Sequence, residues 1–295
     1  FADVKLLLFR QNFGFCGGYN RALQQISQEF VVLLNSDVEV TPGWLSPLVE
    51  QLEKDDRLAA CQPKIKSYLQ KTHFEYAGAG GGFIDRMAYP FCRGRLFDSV
   101  EQDEGQYDDV CPIFWTSGAC MMVRRKLFLA IGGFEERFFA HMEEIDLCWR
   151  WQHLGYMLKY CPQSTVYHLG AGTLQKTSSR KTYLNFHNGL SMLFRNYTGN
   201  NLAGTVLLRL ILDGLAGMQL LLKGKIGHTF AIIKAHFTFY AHIGYWLKSR
   251  SAIQATKQKN AQYCIYPYYL IWEYFIKQCK SFNALKGAKG LVNKS

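Results

Sequence analysis

The sequence predicts an α/β fold with a ligand site at the carboxyl ends of its strands, followed by a helical, basic C-terminal region. Three observations predict it. Phe30-Val31-Val32-Leu33-Leu34 and Leu58 to Ile65 are short, continuous apolar runs. Strands buried on both faces, as in a central parallel sheet, read this way. Helix-like segments, Arg21 to Gln28 and Trp44 to Leu52, alternate with them. The chain's net charge of +11 is also unevenly spread. Residues 223–295 hold twelve bases and one acid, Glu273, which leaves 22 bases and 22 acids for the rest.

In chain order, Val4-Lys5-Leu6-Leu7-Leu8-Phe9 reads as a buried strand. So abrupt an opening leads us to expect further strand–helix units upstream. Asn12-Phe13-Gly14-Phe15-Cys16-Gly17-Gly18-Tyr19-Asn20 reads as a glycine-rich turn into a helix. Glycines there let backbone approach a ligand, and a helix N-terminus receives phosphate. A plain tight turn is the competing reading. The spacing is not GxGxxG, which argues against a nicotinamide cofactor.

The Phe30–Leu34 run ends in Asn35-Ser36-Asp37. Ligands of open α/β sheets bind beyond the carboxyl ends of strands. Asp37 therefore suits Mg²⁺ or Mn²⁺ bridging to phosphate, or else caps the helix that Thr41-Pro42 opens. Residues 76–110 run from glycine-rich through aromatic to acidic, and read as a long functional or mobile loop. Arg93 and Arg95 in it either meet an anionic substrate or pair with nearby acids. Phe114 to Val123 leads into a helix that ends at Gly132-Gly133-Phe134.

The stretch from Phe138 to Arg150 packs Glu143, Glu144 and Asp146 into four residues. Leu147, Trp151 and Leu154 give it a helical period from Glu144. Acids suit the first turn of a helix. Three together also repel unless one is protonated, paired or near a metal, and such crowding makes general bases. A strand over Gly155–Tyr160 precedes Val166-Tyr167-His168-Leu169-Gly170-Ala171-Gly172-Thr173. His168 is either a metal or diphosphate contact or a buried, hydrogen-bonded histidine.

The chain turns helical from Lys181, with Asn185, His187 and Asn188 near the start. Val206 to Leu222 is almost wholly apolar but carries Arg209 and Asp213, so it reads as buried or in-plane rather than spanning. Residues 226–247 mix aromatics and lysines as an interfacial helix does. Nine cysteines form no CxxC pair and sit in apolar runs, as buried thiols do. With 48% hydrophobic residues, global disorder is excluded. The basic tail suits an anionic membrane surface. No nucleic-acid motif is recognisable, so nucleic acid is not an expected partner.

Six blocks stand in one order. They are Asn12 to Asn20, Leu33-Leu34-Asn35-Ser36-Asp37-Val38-Glu39-Val40-Thr41-Pro42-Gly43-Trp44, Gly118-Ala119, Gly132 to Glu136, Phe138 to Leu147, and His168-Leu169-Gly170. On them, roughly residues 1–200 resemble bacterial glycosyltransferase family 2, particularly its rhamnosyltransferase-like members. The resemblance implies a GT-A fold, a mostly parallel sheet between helices. It implies an inverting, metal-dependent transfer from a nucleotide-sugar to a lipid-linked or oligosaccharide hydroxyl, in bacterial cell-surface polysaccharide assembly.

Asp37 matches the last acid of the family's DxD motif, with neutral Asn35 where the first acid often stands. Glu144 matches the catalytic base of the Glu-Asp motif but is one methylene longer, so Glu143 and Asp146 stay open as alternatives. His168 matches the late histidine near the donor diphosphate and joins Asp37 as a metal candidate. Asn12, Gly14, Gly17, Gly18, Asn20, Asn35 and Asp37 are the donor-binding candidates. Arg93, Trp115 and Gly118 are the acceptor candidates. The expected division is a glycosyltransferase domain over 1–200 and a membrane-associating region over 201–295. The expected location is cytoplasmic, peripheral on the inner face of the membrane. The alternatives are a truncated, non-catalytic homologue that binds membrane or a partner, and a basic nucleic-acid-binding protein.

Overall fold

The computed structural model describes residues 4–170, 178–258 and 264–292. Its elements are α1 (Gly14–Gln24), β1 (Phe30–Leu34), β2 (Val38–Val40), α2 (Leu45–Lys54), β3 (Leu58–Ser67), β4 (Gly82–Asp85), β5 (Pro90–Cys92), β6 (Arg95–Leu96), β7 (Ser99–Val100), β8 (Cys111–Pro112), β9 (Cys120–Arg124) and α3 (Arg125–Ala130). A 3₁₀ turn at Glu136–Phe138 precedes α4 (Glu143–His153) and β10 (Met157–His168). The helices α5 (Ser179–Asn196), α6 (Leu202–Leu222), α7 (Ile226–Ala241) and α8 (Ile243–Thr256) follow. β11 (Ile265–Tyr266) and α9 (Lys289–Val292) complete the chain.

The α/β fold is present. Its main sheet has six strands in the order β1-β9-β3-β10-β2, with β8 also on β10. The sheet is mixed: β3 and β10 pair in parallel, and its other pairings are antiparallel. β1 is the apolar run the sequence shows, but its neighbour is the antiparallel β9. A fully apolar strand reports burial on both faces, not the direction of its neighbour. β10 is one strand of twelve residues, interrupted by an irregularity between Cys161 and Thr165, where the sequence suggests two pieces.

Two local expectations change. Residues 4–9 carry no strand, and Leu6 and Leu8 are 74% and 88% exposed. An apolar run becomes a strand only where a neighbour takes its hydrogen bonds, and no described strand does. The glycine stretch is helical from Gly14, and α1 ends at Gln24 rather than Gln28. Asn12 Oδ1 accepts the Gly14 N–H at 2.8 Å, and the Phe139 carbonyl accepts from Phe15 and Cys16 N–H. Tertiary capping here overrides the low helix propensity of glycine.

The stretch 76–110 is not an open loop. β4 to β7 form a small antiparallel sheet, which β11 extends by pairing in parallel with β4. Residues 264–292 thus return to the first part of the chain. Asp85 accepts the Leu270 N–H at 2.9 Å, and Glu101 accepts that of Phe282 at 2.9 Å. No disulfide is recorded among the described residues, and eight of the nine cysteines are buried, as the sequence suggests.

α6 is held along its middle by buried charge. Arg209 Nε donates to Asp213 Oδ1 at 3.0 Å, and its guanidinium donates to the Met87 carbonyl at 3.0 Å. The Tyr89 hydroxyl donates to the same carboxylate at 3.2 Å. Both charged residues are under 5% exposed. Removing one partner of a buried pair strands the other charge away from water. Asp213→Ala is therefore expected to cost about 3–5 kcal/mol in denaturant unfolding. A loss within the ordinary surface range of about 0.5 kcal/mol would show that the pair does not anchor α6.

Candidate active site

Sheet register builds the first half of the site. His168 ends β10 and lies opposite Val38 of β2 and Ser67 of β3. Asp37 stands in the turn between β1 and β2, and its carbonyl accepts the Leu169 N–H at 3.0 Å. His168 Nε2 lies 3.2 Å from Asp37 Oδ1. The chain leaving β3 doubles back through a Lys66–Phe74 bridge and delivers Glu75 to the other ring nitrogen. His168 Nδ1 is 3.3 Å from Glu75 Oε2, in ion-pair range but off hydrogen-bond alignment. Burial alone disfavours the imidazolium, yet Glu75 and then Asp37 outweigh it, so the His168 pKa is raised.

Asp37 and His168 were sequence candidates, and the structure brings them together. Glu75 was missed; its signal is an acid just ahead of the glycine run Gly78–Gly82. The donor set fits a divalent cation. Two ligand atoms on one edge of an octahedron with about 2.1 Å bonds stand about 3 Å apart, close to the Asp37–His168 separation. Among the described residues no three His, Cys, Asp or Glu side chains gather as a metal site. Asp37 and His168 are the residues that would hold a divalent cation here. Glu75 stands where it can orient the imidazole from behind.

The second half is the turn before α4. Phe139, His141 and Met142 all have positive φ, 62°, 70° and 69°. None is a glycine, so the backbone is strained there. Asn188 of α5, fully buried, holds it. Its amide nitrogen donates to the carbonyls of Phe138, Ala140 and His141 at 3.0, 2.9 and 2.8 Å. Asn188 stood in the sequence as a polar residue at the start of an apolar helix. Only the fold gives it a role.

The strained turn launches Glu143 and Glu144 into the first turn of α4. Glu143 is buried and Glu144 is partly accessible. One oxygen of each, Oε2, has no hydrogen-bond partner among the described residues. Burial raises the Glu144 carboxyl to about 7, against which its own N–H and that of Ile145 pull down. Burial, then the charge of Glu144, raises Glu143 well above the usual range. Asp146 goes the other way. Although burial opposes it, Arg195 and Arg150 hold it ionised below the ordinary value. Arg150 Nε donates to it at 2.8 Å, and Asn196 at 2.8 Å. Asp146 is thus a fixed counter-ion, while the glutamates keep free oxygen. A base needs a lone pair that is not already committed.

Residues 117–119 join the halves. The Ala119 carbonyl accepts from Asn35 N–H at 3.0 Å, and Ser117 Oγ donates to the Ala77 carbonyl at 2.9 Å. A Cβ on Gly118 would stand 3.3 Å from the Phe15 ring and 4.0 Å from Glu143 Oε1. Gly118 is therefore beside Glu143. The other acceptor candidates lie in packing roles. Trp115 is buried against Gly82 and donates to the Phe83 carbonyl at 2.9 Å. Arg93 is buried, ion-paired with Asp109, with its guanidinium 4.8 Å from the Tyr107 ring centroid.

The donor candidates on α1 are similarly engaged. Asn20 exchanges hydrogen bonds with Phe134 backbone, at 2.9 and 2.8 Å. Gly14, at φ 70°, lies where any Cβ would meet the Phe139 ring at 2.6 Å. Gly17 packs under Phe13 and Arg21, while the space beside Gly18 is open. Ala171-Gly172-Thr173 lies outside the described residues.

Metal titration tests the first half directly. Asp37→Ala is expected to remove measurable Mn²⁺ binding in calorimetry. Glu75→Gln is expected to weaken it about 10–100-fold, the usual effect of losing an orienting carboxylate. Unchanged affinity in Glu75→Gln would make Glu75 a packing residue.

Residues 1–132 match the Glycosyl transferase family 2 model. Over 184 residues the chain is 27% identical to an N-acetylglucosaminyl-diphospho-decaprenol L-rhamnosyltransferase of Mycobacterium tuberculosis, covering 57% of this chain and 59% of that protein. It is 28% identical over 155 residues to an O-antigen biosynthesis protein of Myxococcus xanthus, covering 50% of this chain and 12% of the other. The chain thus spans less than two thirds of the length of these relatives. Among solved structures, a mannosyltransferase of Pyrobaculum calidifontis in complex with GDP-Man and Mn²⁺ superposes with a TM-score of 0.41 at 14% identity, covering 85% of this chain and 69% of that one. Residues 1–132 are thus similar to glycosyl transferase family 2, and the chain is similar to a rhamnosyltransferase over 184 residues.

Proposed function

We propose that this protein transfers a sugar from a nucleotide-sugar to a hydroxyl acceptor with inversion at the anomeric carbon. One observation carries the reading. Glu143 and Glu144 open α4, each with one oxygen that has no hydrogen-bond partner among the described residues; Glu143 lies beside Gly118, and the next residue, Ala119, bonds Asn35 two positions from Asp37. Glu144, the more accessible of the two, takes the proton of the acceptor hydroxyl. The oxygen then bonds the anomeric carbon as the bond from that carbon to the donor diphosphate breaks. The electron pair leaves with the diphosphate. Asp37 and His168 would hold a Mg²⁺ or Mn²⁺, which when bound supplies positive charge to the departing group.

The raised pKa matters for this chemistry. A carboxyl held near 7 is a stronger base than an ordinary glutamate and still ionises near neutral pH. Burial supplies that shift. Similarity to a rhamnosyltransferase whose name specifies a diphospho-decaprenol acceptor supports a lipid-linked acceptor here. Similarity to an O-antigen biosynthesis protein supports a place in surface polysaccharide assembly.

A donor screen that reads nucleotide release, run with Mn²⁺ and a polyprenyl-diphosphate sugar acceptor, tests the reading. Glu144→Gln keeps the size of the side chain and removes its basicity. It is expected to lower transfer about 10²–10⁴-fold while leaving donor affinity unchanged. Wild-type turnover in Glu144→Gln, with loss in Glu143→Gln instead, would move the base by one residue. Absence of turnover with every donor, alongside retained Mn²⁺ binding, would favour a non-catalytic homologue.

A further inference from the structure

The helices α6 and α7 face outward with the wrong chemistry for water. On α6, Leu207, Ile211, Leu215 and Met218 recur at helical spacing and are 53–60% exposed. The buried positions of the same helix are Arg209, Asp213 and Gly217. A surface helix of a soluble domain puts its apolar stripe inward and its charges outward, so this pattern is inverted. On α7, Phe230 and Phe237 are 66% and 72% exposed, opposite the Ala231, Ile232, Ala235 and Phe239 face that is buried. α6 is 21 residues long, about 31 Å at 1.5 Å per residue. A continuous apolar surface of that length marks an interaction site.

Charge identifies the occupant. Apart from the buried Arg209–Asp213 pair, residues 202–258 hold six bases and no acid. Lys223 and Lys225, both exposed, sit at the turn between the two helices. Two copies of this face brought together would oppose like charges, which penalises self-association. An anionic lipid surface accepts the apolar stripes and pairs with the lysines.

Length and composition alone would also let α6 cross a membrane. Its inner face excludes that. Arg209 and Asp213 bond the Met87 carbonyl and the Tyr89 hydroxyl beside β4 and β5, so the middle of α6 is fastened to the globular part. We infer that α6 and α7 lie flat in the headgroup region of an anionic bilayer, with their exposed stripes inserted and the 223–225 turn against the lipid phosphates. This refines the sequence expectation, which spread the membrane role over the whole basic tail; residues 264–292 instead pack on the small sheet.

The next helix, α8, reaches the segment ahead of the glutamates. Tyr245 of α8 donates to the Glu135 carboxylate at 2.9 Å, and Trp246 packs 6.1 Å, ring to ring, from Phe138. Both touch the segment that leads to Glu143. Docking does not rest on the transfer reading, and each can fail alone.

The test is co-sedimentation of the full chain with phosphatidylcholine vesicles, with and without phosphatidylglycerol. The wild type is expected to bind the anionic vesicles, more weakly at high salt but still measurably, since salt screens charge and not apolar insertion. Leu215→Glu with Met218→Glu, both on exposed positions, is expected to weaken binding at least about tenfold at every salt concentration. Lys223→Ala with Lys225→Ala is expected to remove the preference for anionic over neutral vesicles. Circular dichroism and the unfolding midpoint of each variant should match the wild type. Equal vesicle binding by the Leu215/Met218 variant would overturn the proposal. So would a wild type that ignores vesicles and sediments as a dimer that the same variant makes monomeric.

Discussion

The site depends on one side-chain amide. Asn188 reaches from α5 and shares its two N–H groups among three carbonyls of the 138–141 turn. That turn holds three non-glycine residues at positive φ, a conformation that costs of order 1–3 kcal/mol per residue and persists only where surroundings enforce it. The same turn offers the Phe139 carbonyl to the first N–H groups of α1. It thus fixes the start of α1 and the start of α4 together. Strain of this kind gathers at active sites because it sets a geometry that relaxed backbone would not keep. Here it places two glutamates in a buried first turn, where burial opposes their ionisation.

The three acids of that turn then part by environment. Asp146 has Arg150, Arg195 and Asn196 around it and stays charged. Glu143 and Glu144 have no such cation among the described residues, and burial moves them toward the neutral form. Carboxylates whose surroundings push their pKa values apart are how one fold divides structural and chemical work. Across the 117–119 segment, the His168 imidazole stands between the Asp37 and Glu75 carboxylates. One half keeps glutamate oxygens without a described hydrogen-bond partner, and the other sets an imidazole between two carboxylates.

Part of this was legible in the residues. The apolar run Phe30–Leu34 locates a strand, and a strand end locates Asp37. The crowding of Glu143, Glu144 and Asp146 marks a site, but the sequence alone could not sort them, because their cationic partner Arg195 lies about fifty positions on. Glu75 and Asn188 were not legible for the same reason: each acts through a contact that only tertiary folding makes. The glycines of 14–18 misled because a glycine-rich stretch ordinarily reads as a turn. The Phe139 carbonyl that caps the helix there is remote in sequence. Residues 4–9 show the reverse error, where apolar character suggested burial without a strand to pair with. β11 escaped notice because two residues paired over a long sequence separation leave no periodic signal.

The account stands or falls on the ionisation of the glutamate pair. Carbon-detected NMR titration of labelled glutamate carboxyls, in the wild type and in Glu144→Gln, measures it without a substrate. The account predicts a wild-type transition near pH 7 that is lost in Glu144→Gln. It contradicts the account if every glutamate finishes titrating close to the ordinary value of about 4.3, since the pair would then be neither buried nor poised as a base.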